Sequence, residues 1–215
     1  MVNDRVASAA DPANILRAAA LLRESKVVVV PTDTVYGLAA RVFDEEAVAR
    51  VYRIKGREPE ARVPVLLGSG ADLSMVVSDV PRNAWKLIQA FWPGALTLVL
   101  PASPTVPRVI TGGGPTIGVR VPANVYALQL LESLGEPIVG TSANPSGAAP
   151  ALTAQEAATT LPDVDLVLEA DASVAGGPAS TVVQVGNDAW RLIRQGGIAV
   201  EDIRLALGPR VARVD

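Results

Sequence analysis

Residues 27–30 are four consecutive valines, and Pro31 follows them. β-Branched side chains are stiff and favour strands. A strand that is apolar on both faces has to be covered on both faces, as strands are inside α/β layers. The flanking segments supply the covers. Upstream, Asp11 and Pro12 have the chemistry of an N-cap and a first turn, and Ile15, Leu16, Ala19 and Leu22 share one helical face, which predicts a helix to about Glu24. Downstream, Asp44 caps the segment EEAVARVYRIK. There Val48, Val51 and Tyr52 share a face, Glu46 and Arg50 form an i,i+4 pair on the other, and Gly56 ends the helix.

The same alternation continues along the chain. Strands are predicted over residues 63–67, 95–100, 116–121 and 137–141, with shorter ones over 166–168, 181–185 and 190–193. Helices are predicted from Pro81 to Phe91, over 124–134 and 153–160, and over 200–207, where Gly208-Pro209 stops the last helix. Residues 101–115, rich in Pro, Thr and Gly, read as a loop, and residues 1–10 as a flexible tail. The expected fold is α/β, an open, twisted, mixed β-sheet with flanking helices. The cluster of short late strands argues against a purely parallel sheet. No repeat or low-complexity linker divides the 215 residues, so a single domain over 1–215 is expected. Apolar residues are 49% and charged residues 19%, which excludes global disorder. Aromatics are only 4%, so Ala, Val, Leu and Ile must build the core.

Two absences narrow the chemistry. The chain has no Cys and no His. That removes disulfides, Cys/His zinc sites, a Cys nucleophile and a Ser-His-Asp triad, and leaves any metal to oxygen ligands. The net charge is −3 and the pI about 5.1. Only three of 19 cationic residues are lysines, namely Lys26, Lys55 and Lys86, so this is not the profile of a protein that coats duplex nucleic acid. No apolar run approaches the ~20 residues of a membrane span, and MVNDRVASAADPAN carries no hydrophobic signal core. The expectation is a soluble cytoplasmic protein with no membrane partner.

Three segments at strand or helix ends can carry chemistry. PTDTVYGL at 31–38 follows the valine strand, where α/β folds place ligands. If extended, Thr32, Thr34 and Tyr36 point to one side and suit a small polar ligand. An ordinary Thr-rich turn is the alternative. Lys55 and Arg57 flank Gly56 just past a helix end. Spaced by two in an extended chain they project together and suit phosphate, with Arg62 a further candidate; a solvated helix terminus is the alternative. GTSANPSG at 140–147 offers hydroxyls, an amide and backbone N–H groups for an anion nest, or a plain capping turn before the next helix. Ser142 is no hydrolase nucleophile, because no His can take its proton. Arg120 and Arg194 lie on strands among apolar neighbours and need anionic partners, from inside or outside the chain. Ser180-Thr181 opens a strand, where capping is the simpler role. There is no GxxxxGK[ST], no GxGxxG (GGGPTI at 112–117 does not satisfy it), no HExxH and no EF-hand loop, so any nucleotide site is unconventional.

Taken in order, PTDTVYGL, KGR, FWPGALTLVL, TIGVRVP, TSANPSG, STVVQV and LIRQGGI resemble the YrdC-like family of threonylcarbamoyl-AMP synthases, over about residues 26–198. The resemblance implies a YrdC-like fold with a concave basic cavity. It implies that L-threonine, bicarbonate or CO2, and ATP with Mg2+ give threonylcarbamoyl-adenylate and pyrophosphate. The product would pass to a tRNA threonylcarbamoyl transferase for the t6A modification of tRNA. By matching motif positions, Lys55, Arg57, Ser142 and Asn144 form the catalytic tetrad. Thr34, Arg120, Ser142 and Ser180 hold threonine, with Arg120 the partner of its carboxylate. Arg57, Thr116, Asn144 and Arg194 contact ATP. No carboxylate is assigned to Mg2+ by the sequence or the resemblance; Asp33 is only a guess. The chain departs from the family in the run EPEARVPVLL at 58–67, in lacking a His that touches threonine, and in having Ala61 and Arg62 near the place of an Asn that contacts ATP. It resembles the short, single-domain members. Two other readings stand beside the synthase: a weak RNA-binding module, which the acidic pI opposes, and a relative acting on another acceptor.

Overall fold

The computed structural model describes residues 4–58, 61–68, 73–171 and 177–214. Among them, strands β1 (Val6–Ser8), β2 (Val28–Val30), β3 (Gly37–Arg41), β4 (Val65–Leu66), β5 (Leu96–Pro101), β6 (Thr116–Arg120), β7 (Ile138–Ser142), β8 (Leu166–Glu169), β9 (Thr181–Val185), β10 (Ala189–Arg194) and β11 (Ala212–Arg213) form one sheet. Its order is β1-β8-β2-β3-β7-β4-β6-β5-β9-β10-β11. Parallel pairs such as β2/β8 and β5/β9 alternate with antiparallel pairs such as β3/β7 and β5/β6, so the sheet is mixed and unclosed, as the sequence predicts. The helices are α1 (Pro12–Arg23), α2 (Glu45–Lys55), α3 (Arg82–Phe91), α4 (Arg108–Thr111), α5 (Val125–Leu134), α6 (Ala154–Thr160) and α7 (Val200–Leu207). Their caps follow side-chain chemistry. Asp11, Asp44 and Asn124 each accept a first-turn N–H, and Thr153 with Glu156 closes a capping box.

The sheet is covered unequally. Around β2, β3 and β8, helices α1 and α5 pack one face through Ile15, Ala19, Leu22 and Leu130. The main core, with Val48 and Val51 of α2, packs the other. The valine strand is therefore buried on both sides. Across β6, β5, β9 and β10 only one face is packed. Ile117, Val119, Leu96, Leu98, Val183 and Trp190 point into the main core. Thr116, Gly118, Val99, Val182, Gln184 and Arg191 lie on the other side, half-buried or exposed. Leu66 of β4 belongs to the α1/α5 cluster and stands in register with Arg120. The uncovered strip thus continues the face that α1 and α5 cover elsewhere.

Several expectations need correction. Within the predicted tail, residues 6–8 are β1, paired in parallel with β8; residues 1–3 lie outside the described set. The loop 101–115 contains α4. Strand β3, built of Gly, Leu, Ala, Ala and Arg, was not predicted because its composition has little strand propensity, nor was two-residue β11. Leu16 is exposed, and Ala18 takes its place on the buried face of α1. Arg50 does not pair with Glu46; it binds Asp165 at 2.6 Å and the Asp163 carbonyl. No helix among the described residues is long and apolar enough to cross a membrane.

Candidate active site

Gly56 takes the left-handed conformation (φ 57°), which ends α2 and turns Arg57 away from the helix axis. Lys55 is 4% exposed. Its Nζ donates to the Ser142 carbonyl (2.5 Å), the Asn144 carbonyl (2.8 Å) and Asn144 Oδ1 (3.0 Å), while its own carbonyl accepts from Ser146 N–H (2.7 Å). Burial first, and the charge of Arg57 second, lower its pKa to about 8. Half-buried Arg57 donates to the Arg62 carbonyl (2.9 Å) and, at 3.5 Å, to Thr141 Oγ1. Arg62 in turn donates to Thr116 Oγ1 at 3.3 Å, so it joins this cluster. Lys55 and Arg57 do not project together as a free pair, because the helix end sends them to different partners. Nor does the 142–147 segment form an anion nest. The N–H groups of Ala143, Asn144, Ser146 and Ala148 are spent on carbonyls of Tyr36, Ser142, Lys55 and Pro145, and Asn144 Nδ2 is spent on Ala148. Pro59 and Glu60 of the run after KGR lie outside the described residues.

A second cluster forms at the other end of β6. Thr32 Oγ1 donates to the Val35 carbonyl and accepts from the N–H groups of Thr34 and Val35, a turn that brings Thr32 and Thr34 hydroxyls to 3.0 Å. Because the segment turns, Tyr36 does not share their side: it is buried in the main core, with its hydroxyl accepting from Ala170 N–H. The turn carries Asp33 and Thr34 to Arg120, which is 6% exposed. Arg120 Nε donates to the Gly94 carbonyl (2.8 Å), Nη1 to Thr34 Oγ1 (3.1 Å) and Nη2 to Asp33 Oδ1 (2.6 Å). Beside it, Ser180 Oγ lies 2.8 Å from Thr97 Oγ1, and Arg194 donates to the Ser180 carbonyl (2.9 Å) and Oγ (3.2 Å). A bulge between Leu192 and Arg194 sets Arg194 opposite Val182, on the same face as Arg191. Without the extra residue, a spacing of three would put the two arginines on opposite faces.

Thr116 and Arg120 are four residues apart on β6, about 13 Å along the strand, and the turn at Thr32–Thr34 lies between the two groups, because Gly37 beside Thr32 pairs with Ser142. Each holds cations that repel one another. Arg57 lowers the pKa of Lys55, and Arg120, after burial, lowers that of Arg194. An anion at either end relieves that repulsion. A cavity of about 690 Å³ lined by Leu67, Val77, Trp85, Ile88 and Trp92 contains none of these cations. Among the described residues no group of three Asp or Glu is placed to hold a metal ion, and Asp33 is engaged by Arg120, so the residues present do not fit a protein-held Mg2+.

The structure places the site residues expected from the sequence in two groups: Lys55, Arg57, Thr116, Ser142 and Asn144 in one, and Thr34, Arg120, Ser180 and Arg194 in the other; Ser142, expected beside Arg120, contacts Lys55, and Arg194, expected beside Asn144, contacts Ser180. It adds Thr97, Thr141 and Arg62. Thr97 had one sequence signal, a hydroxyl in an apolar strand. Thr141 sat inside a quoted motif but was passed over for its neighbours.

The chain is similar to known proteins over most of its length. Residues 20–196 match the Sua5/YciO/YrdC family model, described as telomere recombination. The chain is 39% identical over 196 residues to a protein named threonylcarbamoyl-AMP synthase from Pyrococcus abyssi (strain GE5 / Orsay), covering 89% of this chain and 56% of that protein. The crystal structure of P. abyssi Sua5 complexed with L-threonine superposes with a TM-score of 0.89 at 37% identity, over 95% of this chain and 60% of that one. E. coli YciO superposes with a TM-score of 0.80 at 29% identity, over 90% of this chain and 94% of that one. The chain therefore spans a little over half the length of the Pyrococcus protein and nearly all of YciO. With its motifs in order, its fold shared and its matched region covering most of its length, the chain belongs to the Sua5/YciO/YrdC family.

Proposed function

We propose that this chain is an L-threonylcarbamoyladenylate synthase, a nucleotidyltransferase that forms threonylcarbamoyl-AMP and pyrophosphate from L-threonine, bicarbonate or CO2, and ATP. The observation that carries the reading is the pair of cation-bearing groups, Lys55 with Arg57 and Arg62 about Thr116 at the start of β6, and Arg120 with Arg194 at its end. One is suited to a carboxylate and the other to polyphosphate. The names of the relatives, one of them crystallised with L-threonine, support the same reading.

The chemistry needs no covalent enzyme intermediate, which suits a chain without His or Cys. The threonine amine loses a proton and adds to CO2, forming a carbamate. A carbamate oxygen then attacks the α-phosphorus of ATP, and the bond to the pyrophosphate oxygen breaks. Arg120, with Thr34 and Ser180 beside it, holds the threonine carboxylate. Arg57 and Arg62, next to Thr116, offset triphosphate charge, and Arg194 stands at the carboxylate end to meet the nucleotide. Lys55 holds the Ser142–Asn144 segment in place. The work is positioning and charge compensation. Mg2+ is proposed only as the companion of the ATP phosphates. The reading places the reaction in the cytoplasm and hands the product to a tRNA threonylcarbamoyl transferase.

Pyrophosphate release tests this. Release that requires both L-threonine and bicarbonate, and that falls in Lys55→Ala, supports the synthase. Release that depends on another amine acceptor overturns threonine as substrate, and a folded protein with no ATP turnover overturns the reaction.

A further inference from the structure

We propose that Asp33 is a positioning residue, which holds the Arg120 guanidinium ready for the acceptor's carboxylate and is not a metal ligand. The inference rests on the synthase reading for the identity of the acceptor. Asp33 Oδ1 accepts from Arg120 Nη2 at 2.6 Å and from Ala123 N–H at 3.0 Å. The two side chains are 16% and 7% exposed, so this ion pair is little screened. One carboxylate oxygen thus ties the turn after β2 to the connection between β6 and α5.

The hydrogen-bond count gives the pair its purpose. A guanidinium has five N–H groups. Gly94, Thr34 and Asp33 take three of them, one on each nitrogen. Two remain, one on each terminal nitrogen, which matches the two oxygens of a carboxylate. Gly94 and Thr34 are neutral partners; Asp33 is the ionic one. It also offsets part of the repulsion between Arg120 and Arg194, which after burial lowers the Arg194 pKa. The ordering of a flexible arginine is thereby complete before the ligand arrives, so binding does not bear it. A metal ion at Asp33 would have to share the carboxylate with a guanidinium that repels it.

The test combines binding, metal dependence and NMR on Asp33→Ala and Asp33→Asn. L-Threonine is compared with L-threoninol, which lacks the carboxylate. In the wild type threonine binds more tightly; in Asp33→Ala that advantage shrinks by about ten-fold or more. ATP affinity and the Mg2+ concentration for half-activation stay unchanged. Asp33→Asn, which keeps an oxygen acceptor, recovers part of the advantage. The Arg120 guanidinium N–H signals, identified by their loss in Arg120→Lys, are resolved in the wild type and broadened in Asp33→Ala. An unchanged threonine-to-threoninol ratio, unchanged Arg120 signals, or a shifted Mg2+ requirement overturns the proposal. If the wild type binds no threonine, the synthase reading fails instead, and the NMR comparison still decides whether Asp33 orders Arg120.

Discussion

Lys55 bonds Asn144 twice, through the backbone oxygen at 2.8 Å and Oδ1 at 3.0 Å, and takes the Ser142 carbonyl with its third N–H. An ammonium has three N–H groups, and all three are spent inside the protein. Lys55→Met takes this donor from all three oxygens, and only the Ser142 carbonyl keeps another, the Asn144 N–H. It is expected to cost about 1–3 kcal/mol of stability and to reduce kcat by on the order of a hundred-fold. Amide hydrogen exchange should show faster opening confined largely to residues 142–148. Pyrophosphate release and thermal unfolding measure the two effects.

The lowered pKa of Lys55 has a definite sign in pH experiments. The folded chain releases this proton near pH 8, the unfolded chain near 10.5. Below pH 8 the buried charge is a penalty on the folded state, and the Lys55 contribution to stability rises with pH between those values. Under the proposed function, polyphosphate beside Lys55 and Arg57 would raise the lysine pKa again. ATP binding is therefore expected to take up protons just above pH 8 and to weaken as pH rises further. Calorimetry in buffers of different ionisation enthalpy reads the uptake, and Lys55→Met should abolish it.

Arg62 donates to the Thr116 hydroxyl, and its carbonyl holds Arg57, so under the proposed function it stands where the ATP phosphates bind. Arg62→Ala removes the guanidinium and keeps the carbonyl. It is expected to raise KM for ATP about ten-fold, the effect of one charge-assisted contact, and to leave KM for L-threonine unchanged. Steady-state kinetics at two ionic strengths check it, with a shallower salt dependence in the variant.

Gly196 lies where a Cβ would overlap the backbone of Ala179, Ser180 and Thr181. Backbone atoms of a paired strand cannot move aside as a side-chain tip can. Thr181 Oγ1 also ties this turn by accepting from Gly196 and Ile198 N–H. Gly196→Ala is expected to cost about 1–3 kcal/mol and to separate Ser180 from Arg194, raising KM for both substrates. Denaturant unfolding and kinetics check both.

Much of the fold was legible because it is local. The bounds of α2 follow from Asp44, the apolar spacing and Gly56, and the structure reproduces them. Strand β3 was not legible, since Gly and Ala have little strand propensity and its place is set by pairing with β2 and β7. Arg50 chose Asp165 over Glu46 for a related reason: a helical neighbour four residues away competes with a partner that the packing of α2 brings closer.

The sequence by itself determined the order of helices and strands, the helix caps, and the chemical inventory: cations, hydroxyls and amides, with no His or Cys. Only the tertiary structure decided which of those groups are already engaged. Asp33 meets Arg120 across 87 residues, and Lys55 meets Asn144 across 89. Arg194 faces the site because a bulge shifts its register. Periodicity and propensity act over one or two turns of chain, whereas a hydrogen-bond partner is chosen by strand register and sheet coverage, which are properties of the whole packed sheet.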